Sequence, residues 1–459
     1  MTHPGTPGNP LRVAIVGAGP AGFFLAERLL AREDVAVQVD LFERLPTPYG
    51  LVRFGVAPDH EKIKNVTRSF DKVAIRPGFR FFGNVDVGRD VSLDDLRRHY
   101  HQICFTTGAQ TDRRMGIPGE DLAGSHPATE FVAWYNGHPE FRALTFDLSV
   151  ERVAIVGVGN VAVDVARILC RTPEELATTD IADYALEALR CSRVREVYLL
   201  GRRGPLQAAF TNPEAKELGE LLGADVRVLP EEVALDPLSQ GALERDEDHA
   251  ARKKLEILRE YARRERTGKP RLLTIRFLVS PVEIVGDERG HARAIRLVQN
   301  RLVEGKNGAL RPEPTARIEE LPVGLVFRSV GYRGVALAGL PFDEGSGVVP
   351  NERGRVMPGV YVAGWIKRGP TGVIGTNKPD AAETAETMLA DATLDALPVP
   401  ADPSPEAVEA LVRRMQPGVI SYDEWQRLDR FETERGKALG RPRLKCTTTA
   451  EMLEALGRG

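Results

Sequence analysis

Gly17-Ala18-Gly19-Pro20-Ala21-Gly22 carries glycines at the spacing of a phosphate-cradling turn. Gly17 would make the tight turn, Gly19 would let backbone approach a pyrophosphate, and Gly22 would let helix and strand pack closely. The flanks agree. Residues 11–16 are mostly aliphatic and read as a buried parallel strand, and residues 23–30 have helical composition. A helix start at this place offers free N–H groups and a positive dipole end to an anion. A second strand, residues 37–42, runs into Glu43, where a ribose hydroxyl needs an acceptor.

The same order recurs. Residues 152–156 form a strand, Gly157-Val158-Gly159-Asn160-Val161-Ala162 follows, and residues 163–170 continue as a helix. Ala162 stands in the third glycine's place, an allowed variant. The next strand, residues 196–200, ends in Gly201-Arg202-Arg203-Gly204 and not in an acid. A carboxylate there would repel a ribose 2′-phosphate, whereas two arginines bind it. The first cradle is therefore read for FAD and the second for NADP(H). A chain with both is a machine for passing hydride to flavin. The plainer alternative makes Arg202 and Arg203 a solvated pair. The long gap before them is filled by a helical insertion over residues 172–191, tolerated at small entropic cost.

The rest of the composition narrows the field. At 459 residues the chain is too long for one core, so two or three domains are expected. Apolar residues make up 42% and charged residues 28%, ordinary for a globular protein, and the net charge of −3 argues against a nucleic-acid partner. Cys104, Cys170, Cys191 and Cys446 form no C-x-x-C pair and lack metal-ligand spacing, so no metal is expected. They read as reduced, buried or incidental thiols. Residues 1–10 are rich in Gly and Pro and read as a frayed end without signal-peptide character. No run reaches membrane-spanning length. A cytoplasmic monomer is the expectation.

The chain resembles the adrenodoxin-reductase-like NADPH:ferredoxin oxidoreductases. Residues 361–377, YVAGWIKRGPTGVIGTN, carry the strongest likeness. Residues 48–60 (PYGLVRFGVAPDH), 159–167 (GNVAVDVAR), 202–205 (RRGP) and 329–332 (SVGY) add to it. The resemblance implies a glutathione-reductase-like α/β fold of three layers: two Rossmann-like domains, with the NADP domain inserted in the FAD domain. The boundaries implied are 1–111 and 329–459 for FAD, the latter with a C-terminal extension, and 112–328 for NADP. It also implies that Ala21, Glu43, Leu51, Val85, Trp365, Gly372, Val373 and Ile374 contact FAD. Asn160, Val161, Ala162, Arg202, Arg203, Glu214 and Gly372 would contact NADP(H). His60 and Glu217 would form an ionic couple beside the flavin. Read alone, His60 follows Asp59, a helix-capping type, and Glu217 looks like one solvated helix face. Pro213 and the sequence Glu214-Ala215-Lys216-Glu217 depart from the family pattern and would shift a helix start. A helix near Asn377 would aim its dipole at the flavin.

The partner implied is a ferredoxin-type iron–sulfur protein. Such proteins are acidic, so a basic docking face is sought. Arg252, Lys253, Lys254, Arg259, Arg263 and Arg264 offer one on a helix, and Arg193 and Arg195 a rival. From residue 401 a Pro-rich linker leads to a helix over residues 405–415, of structural role. Three rivals stand beside this reading. A disulfide reductase lacks its cysteine pair here. A flavin monooxygenase and a flavin-binding sensor or scaffold without turnover remain for experiment.

Overall fold

The computed structural model describes residues 4–245, 248–306, 308–393 and 397–458. Two six-stranded sheets dominate. The first runs in the order Arg355–Met357, Val360–Val362, Gln102–Phe105, Leu11–Val16, Val37–Glu43, Phe79–Gly83. Only its outermost pair is antiparallel. The second is all parallel, in the order Ser125–Pro127, Leu325–Arg328, Arg152–Val156, Glu196–Leu200, Arg271–Arg276, Ala224–Val228. Their strands are aliphatic without alternation because helices cover both faces. Leu11, Val13 and Ile15 have no exposure, and neither do Val153 and Ile155.

Each sheet reverses its strand order beside the strand that leads into a glycine turn. Leu11–Val16 lies between Gln102–Phe105 and Val37–Glu43, and Arg152–Val156 lies between Leu325–Arg328 and Glu196–Leu200. Crevices open at such switch points, and both glycine turns sit there. The two sheets are linked by a small antiparallel pair, Thr111–Asp112 with Tyr332–Arg333.

A third sheet has no counterpart in the sequence reading. Val279–Gly286, Ala292–Glu304 and Leu310–Pro322 pair antiparallel. The inserted segment after the second fingerprint is helical, as read, over Pro173–Leu176 and Asp183–Arg190.

The C-terminal region forms helices Pro405–Met415, Tyr422–Lys437 and Thr449–Ala455. It fastens the two large sheets together. Glu432, fully buried, accepts from Arg53 at 2.6 Å and from the Cys446 N–H at 2.8 Å. Asp180 receives Lys64 at 2.6 Å and Lys445 at 3.1 Å. Burial opposes the Asp180 charge, yet the two ammonium groups hold its carboxyl far below the usual range.

The expected frayed N-terminus is corrected in part. Met1 to His3 lie outside the described residues. Residues 4–10 form a turn in which the Gly5 N–H donates to Asn9 O at 2.8 Å, and the Ala36 N–H donates to Gly5 O at 2.7 Å. Among the described residues no helix is long and apolar enough to cross a membrane. Cys104, Cys170 and Cys446 are buried and Cys191 is exposed, all as free thiols.

Candidate functional site

The first cradle is built by exclusion. Gly17 has φ +110°, and a Cβ there would stand 2.8 Å from Thr106 O. Thr106 Oγ1 donates to Gly17 O at 2.7 Å and fixes the turn. Gly19 faces open space, with nothing within 4 Å of an added Cβ. It caps helix Pro20–Leu30 without a side chain, so first-turn N–H groups are left for a ligand. Glu43 closes the rim. Its Oε2 accepts from the Ala18 N–H at 2.9 Å and its Oε1 from the Leu45 N–H at 3.2 Å. Burial nevertheless pushes its carboxyl up.

Leu51 and Val85, also expected at FAD, are tied to this edge through backbone hydrogen bonds. The Tyr49 N–H donates to Ala18 O at 2.8 Å, which seats the short helix beginning at Leu51. The Val85 N–H donates to Glu43 O at 2.9 Å. A Cβ on Gly364 would meet the Ala21 methyl at 2.6 Å, so the C-terminal part of the chain touches the fingerprint itself. Trp365 follows, with its indole N–H donating to Thr371 O at 3.2 Å and its ring 5.4 Å from that of Tyr332. Thr371 leads into exposed Gly372 and Val373, then Ile374, and helix Asn377–Thr393 starts where expected.

The second cradle repeats the construction. Gly157 has φ +126°, with Ser329 O where a Cβ would go, and Gly159 opens on empty space. Helix Asn160–Cys170 again has no side-chain cap. Asn160 Oδ1 is buried without a partner, a polar atom awaiting a ligand. Val158 O accepts from the Ala209 and Phe210 N–H groups, both at 3.0 Å, tying the arginine loop's continuation to the fingerprint. Arg202 is exposed and Arg203 half-buried. Burial and the charge of Arg202 both press the Arg203 pKa down. Among the described residues neither arginine has an acidic partner. Two cations left together in this way form a site for an anion.

Glu214 is committed locally. Its Oε2 accepts from the Thr211 N–H and hydroxyl, both at 2.9 Å, in a capping box on helix Asn212–Leu218. Pro213 falls in the first turn, where it costs no hydrogen bond, and the capping box sets the helix start at Asn212.

Between the cradles, His60 Nε2 lies 2.9 Å from Glu217 Oε2. Sequence comparison alone paired these residues, and the structure supplies what holds them. Arg167, fully buried on the second fingerprint helix, donates to Asp59 at 2.6 and 3.0 Å and to Asp164 at 2.7 Å. Its Nη1 stands 3.8 Å from Glu217 Oε2. Asp164 Oδ1 is 3.9 Å from His60 Nδ1. Burial lifts the Asp164 carboxyl to about 6, whereas Arg167 and Arg171 overcome burial and hold Asp59 far below the usual range. The capping role considered for Asp59 is corrected. His60 itself occupies the cap position of helix Glu61–Lys64, and Asp59 serves the two arginines. Sequence reading passed over Asp59, Asp164 and Arg167 as site residues. Their only signal was membership in the matched runs, because helical spacing does not show that Arg167 is buried.

The pyridine nucleotide-disulphide oxidoreductase family model matches residues 11–218. NADPH-ferredoxin reductase FprA of Mycobacterium tuberculosis is 48% identical, over 97% of this chain and 99% of its own length. The chain belongs to the NADPH-ferredoxin reductase family. Human mitochondrial NADPH:adrenodoxin oxidoreductase is 42% identical over 97% of this chain and 92% of its own. The solved structure of Mycobacterium tuberculosis FprA in complex with NADPH superposes with a TM-score of 0.92 at 46% identity, covering 98% of this chain and all of that one. As a member of that family this chain has the two-Rossmann FAD/NADP fold and binds both cofactors. The open ground at Gly19 and Gly159, the uncapped helix starts and the unpaired arginines fit those groups.

Proposed function

We propose that this chain oxidises NADPH and delivers single electrons to a ferredoxin-type iron–sulfur protein, working as a cytoplasmic monomer. The observation that carries the reading is the pair of glycine cradles with opposite endings, Glu43 on one and Arg202 with Arg203 on the other. FAD supplies the conversion between two-electron and one-electron chemistry. The protein supplies position. Gly17, Gly19, Ala21, Gly22 and Glu43 hold the FAD diphosphate and ribose, and Leu51, Val85, Trp365, Gly372, Val373 and Ile374 line the remainder. Gly159, Asn160, Val161, Ala162, Arg202, Arg203 and Glu214 hold NADP(H), with Gly372 shared between the two.

His60 and Glu217 keep the meeting place of the two cofactors polar and ordered, with Arg167 behind them. Holding reactants in register accounts for most of the acceleration in such a site. The folding units are residues 1–111 with 329–459, and 112–328. Support comes from the first sheet, which draws on residues 11–105 and 355–362, while the second draws on 125–328.

The docking face is the helix His249–Arg263, presented by Arg252, Lys253 and Arg263. Lys254 is left out of the test because its half-buried ammonium donates to Ala208 O and lies over the Phe210 ring, so its replacement would also disturb packing. Arg252→Glu with Lys253→Glu raises the KM for ferredoxin roughly fivefold at low salt and leaves dye reduction unchanged. Ferredoxin kinetics flat across a salt series would refute the face.

The deciding experiment is anaerobic stopped flow of the FAD-loaded chain against NADPH and NADH. Fast bleaching with NADPH, slow bleaching with NADH and reoxidation by added ferredoxin are expected. Bound flavin that NADPH does not bleach would move the reading to a sensor or scaffold. Rapid oxygen-dependent NADPH consumption with an organic substrate would move it to a monooxygenase.

A further inference from the structure

The arginine loop is held from behind by an element outside both cradles. Three successive carbonyl groups of residues 201–203 are each captured. Gly201 O accepts from the Val279 N–H at 3.0 Å, and Arg203 O accepts from the Leu278 N–H at 3.1 Å. Between them, Arg202 O accepts from the Asn300 side-chain amide at 2.8 Å. The same amide nitrogen donates to Ser280 Oγ at 2.8 Å, so both its protons are used.

Asn300 lies beside an irregularity in the neighbouring strand, where two extra residues of Leu310–Pro322 separate Ile318, the partner of Val298, from Pro314, the partner of Asn300. It belongs to Ala292–Glu304, the middle strand of the three-stranded sheet, and the pairing with Leu310–Pro322 slips between Val298 and Asn300. Its N–H donates to Leu278 O at 2.7 Å, and Leu278 holds φ +57°, a conformation a bulky side chain rarely adopts. Asn300 is also buried, so an unsatisfied amide there would be costly.

We propose that Asn300 is a specificity-positioning residue for NADPH over NADH, acting through the backbone of Arg202; this rests on the assignment of Arg202 and Arg203 to the 2′-phosphate. By taking Arg202 O, the amide holds that carbonyl's partial negative charge against the three-stranded sheet. It also fixes the peptide from which two mutually repelling guanidinium groups project. Asn300 touches neither cofactor in this scheme.

The test uses the FAD-loaded enzyme with a dye acceptor, NADPH and NADH in parallel, and 2′,5′-ADP as a competing probe. Asn300→Ala raises the KM for NADPH and the inhibition constant of 2′,5′-ADP roughly five- to tenfold. It leaves kcat within about twofold and the KM for NADH unchanged. Loss of a merely structural residue would weaken both nucleotides alike, and that result overturns the proposal. Asn300→Ser, with too short a reach to Arg202 O and less loss of volume, shows the same split if the alanine variant does not fold. An equal response to NADPH and NADH in the serine variant also overturns it. Combining Asn300→Ala with Arg202→Ala and Arg203→Ala adds no further loss, because the arginines it positions are gone. If the arginine variant alone leaves the nucleotide preference intact, the 2′-phosphate assignment fails. If the arginine variant abolishes it and Asn300→Ala does not alter it, only the role of Asn300 fails.

Discussion

The two cradles share a turn and differ in how they end. At the first, Glu43 takes the Ala18 N–H of the glycine turn and the Leu45 N–H of its own loop, and Gly364 lies so close to Ala21 that an added Cβ would meet its methyl. At the second, Arg202 and Arg203 have no acidic partner among the described residues, and a separate sheet props their loop from behind. The two turns begin alike, Gly17 at φ +110° and Gly157 at φ +126°, and part in whether the terminal charge is answered within the protein. On the proposed reading the answered charge belongs to a ligand that stays and the unanswered pair to one that comes and goes.

The comparison breaks most visibly at the arginines. Arg202→Ala with Arg203→Ala lowers kcat/KM for NADPH roughly 100-fold and changes that for NADH less than twofold. An equal loss with both nucleotides would remove the phosphate assignment. At the first cradle, Glu43→Gln weakens FAD retention about tenfold, read as flavin lost during gel filtration. Full flavin content after dilution would show that the carboxylate is dispensable.

Smaller effects sharpen the contrast. Glu217→Gln slows flavin bleaching by NADPH about threefold, since the couple with His60 is half-exposed and partly screened. An unaltered bleaching rate would make the couple ornamental. The last prediction concerns pH in the flavin-free chain. Burial raises the Glu43 carboxyl, so the folded chain keeps a proton that the unfolded chain has lost above 4.5. Unfolding then releases that proton, and stability falls as pH climbs through the interval. Thermal melts from pH 4.5 upward carry this slope and Glu43→Gln flattens it; equal slopes would show that Glu43 ionises without cost.

What the sequence disclosed depended on how local each cause was. Both glycine turns were legible because steric need and residue type coincide at Gly17 and Gly157. The charge endings were legible because each follows its strand directly. The helices at 172–191 and 405–415 followed from composition. The buried knot of Asp59, Asp164 and Arg167 was not, because its members come from two units and an arginine with no exposure looks in sequence like any other. Nor was the three-stranded sheet. Val279–Gly286 begins soon after Arg271–Arg276, and nothing local says that the chain leaves one sheet for another. The pairing of His60 with Glu217 came only from family likeness, and the contact of Lys254 with the Phe210 ring is invisible in one dimension.

The strand Val360–Val362 lies beside Gln102–Phe105, with Val360 opposite Ile103, and completes the first sheet. During synthesis this has a consequence for timing. A ribosome releasing the chain from its amino end exposes Gln102–Phe105 as a bare edge while the whole second sheet emerges behind it. Domains fold as units as they emerge. The second sheet therefore has all its strands once Arg328 has emerged, whereas the first still waits for Arg355–Met357 and Val360–Val362.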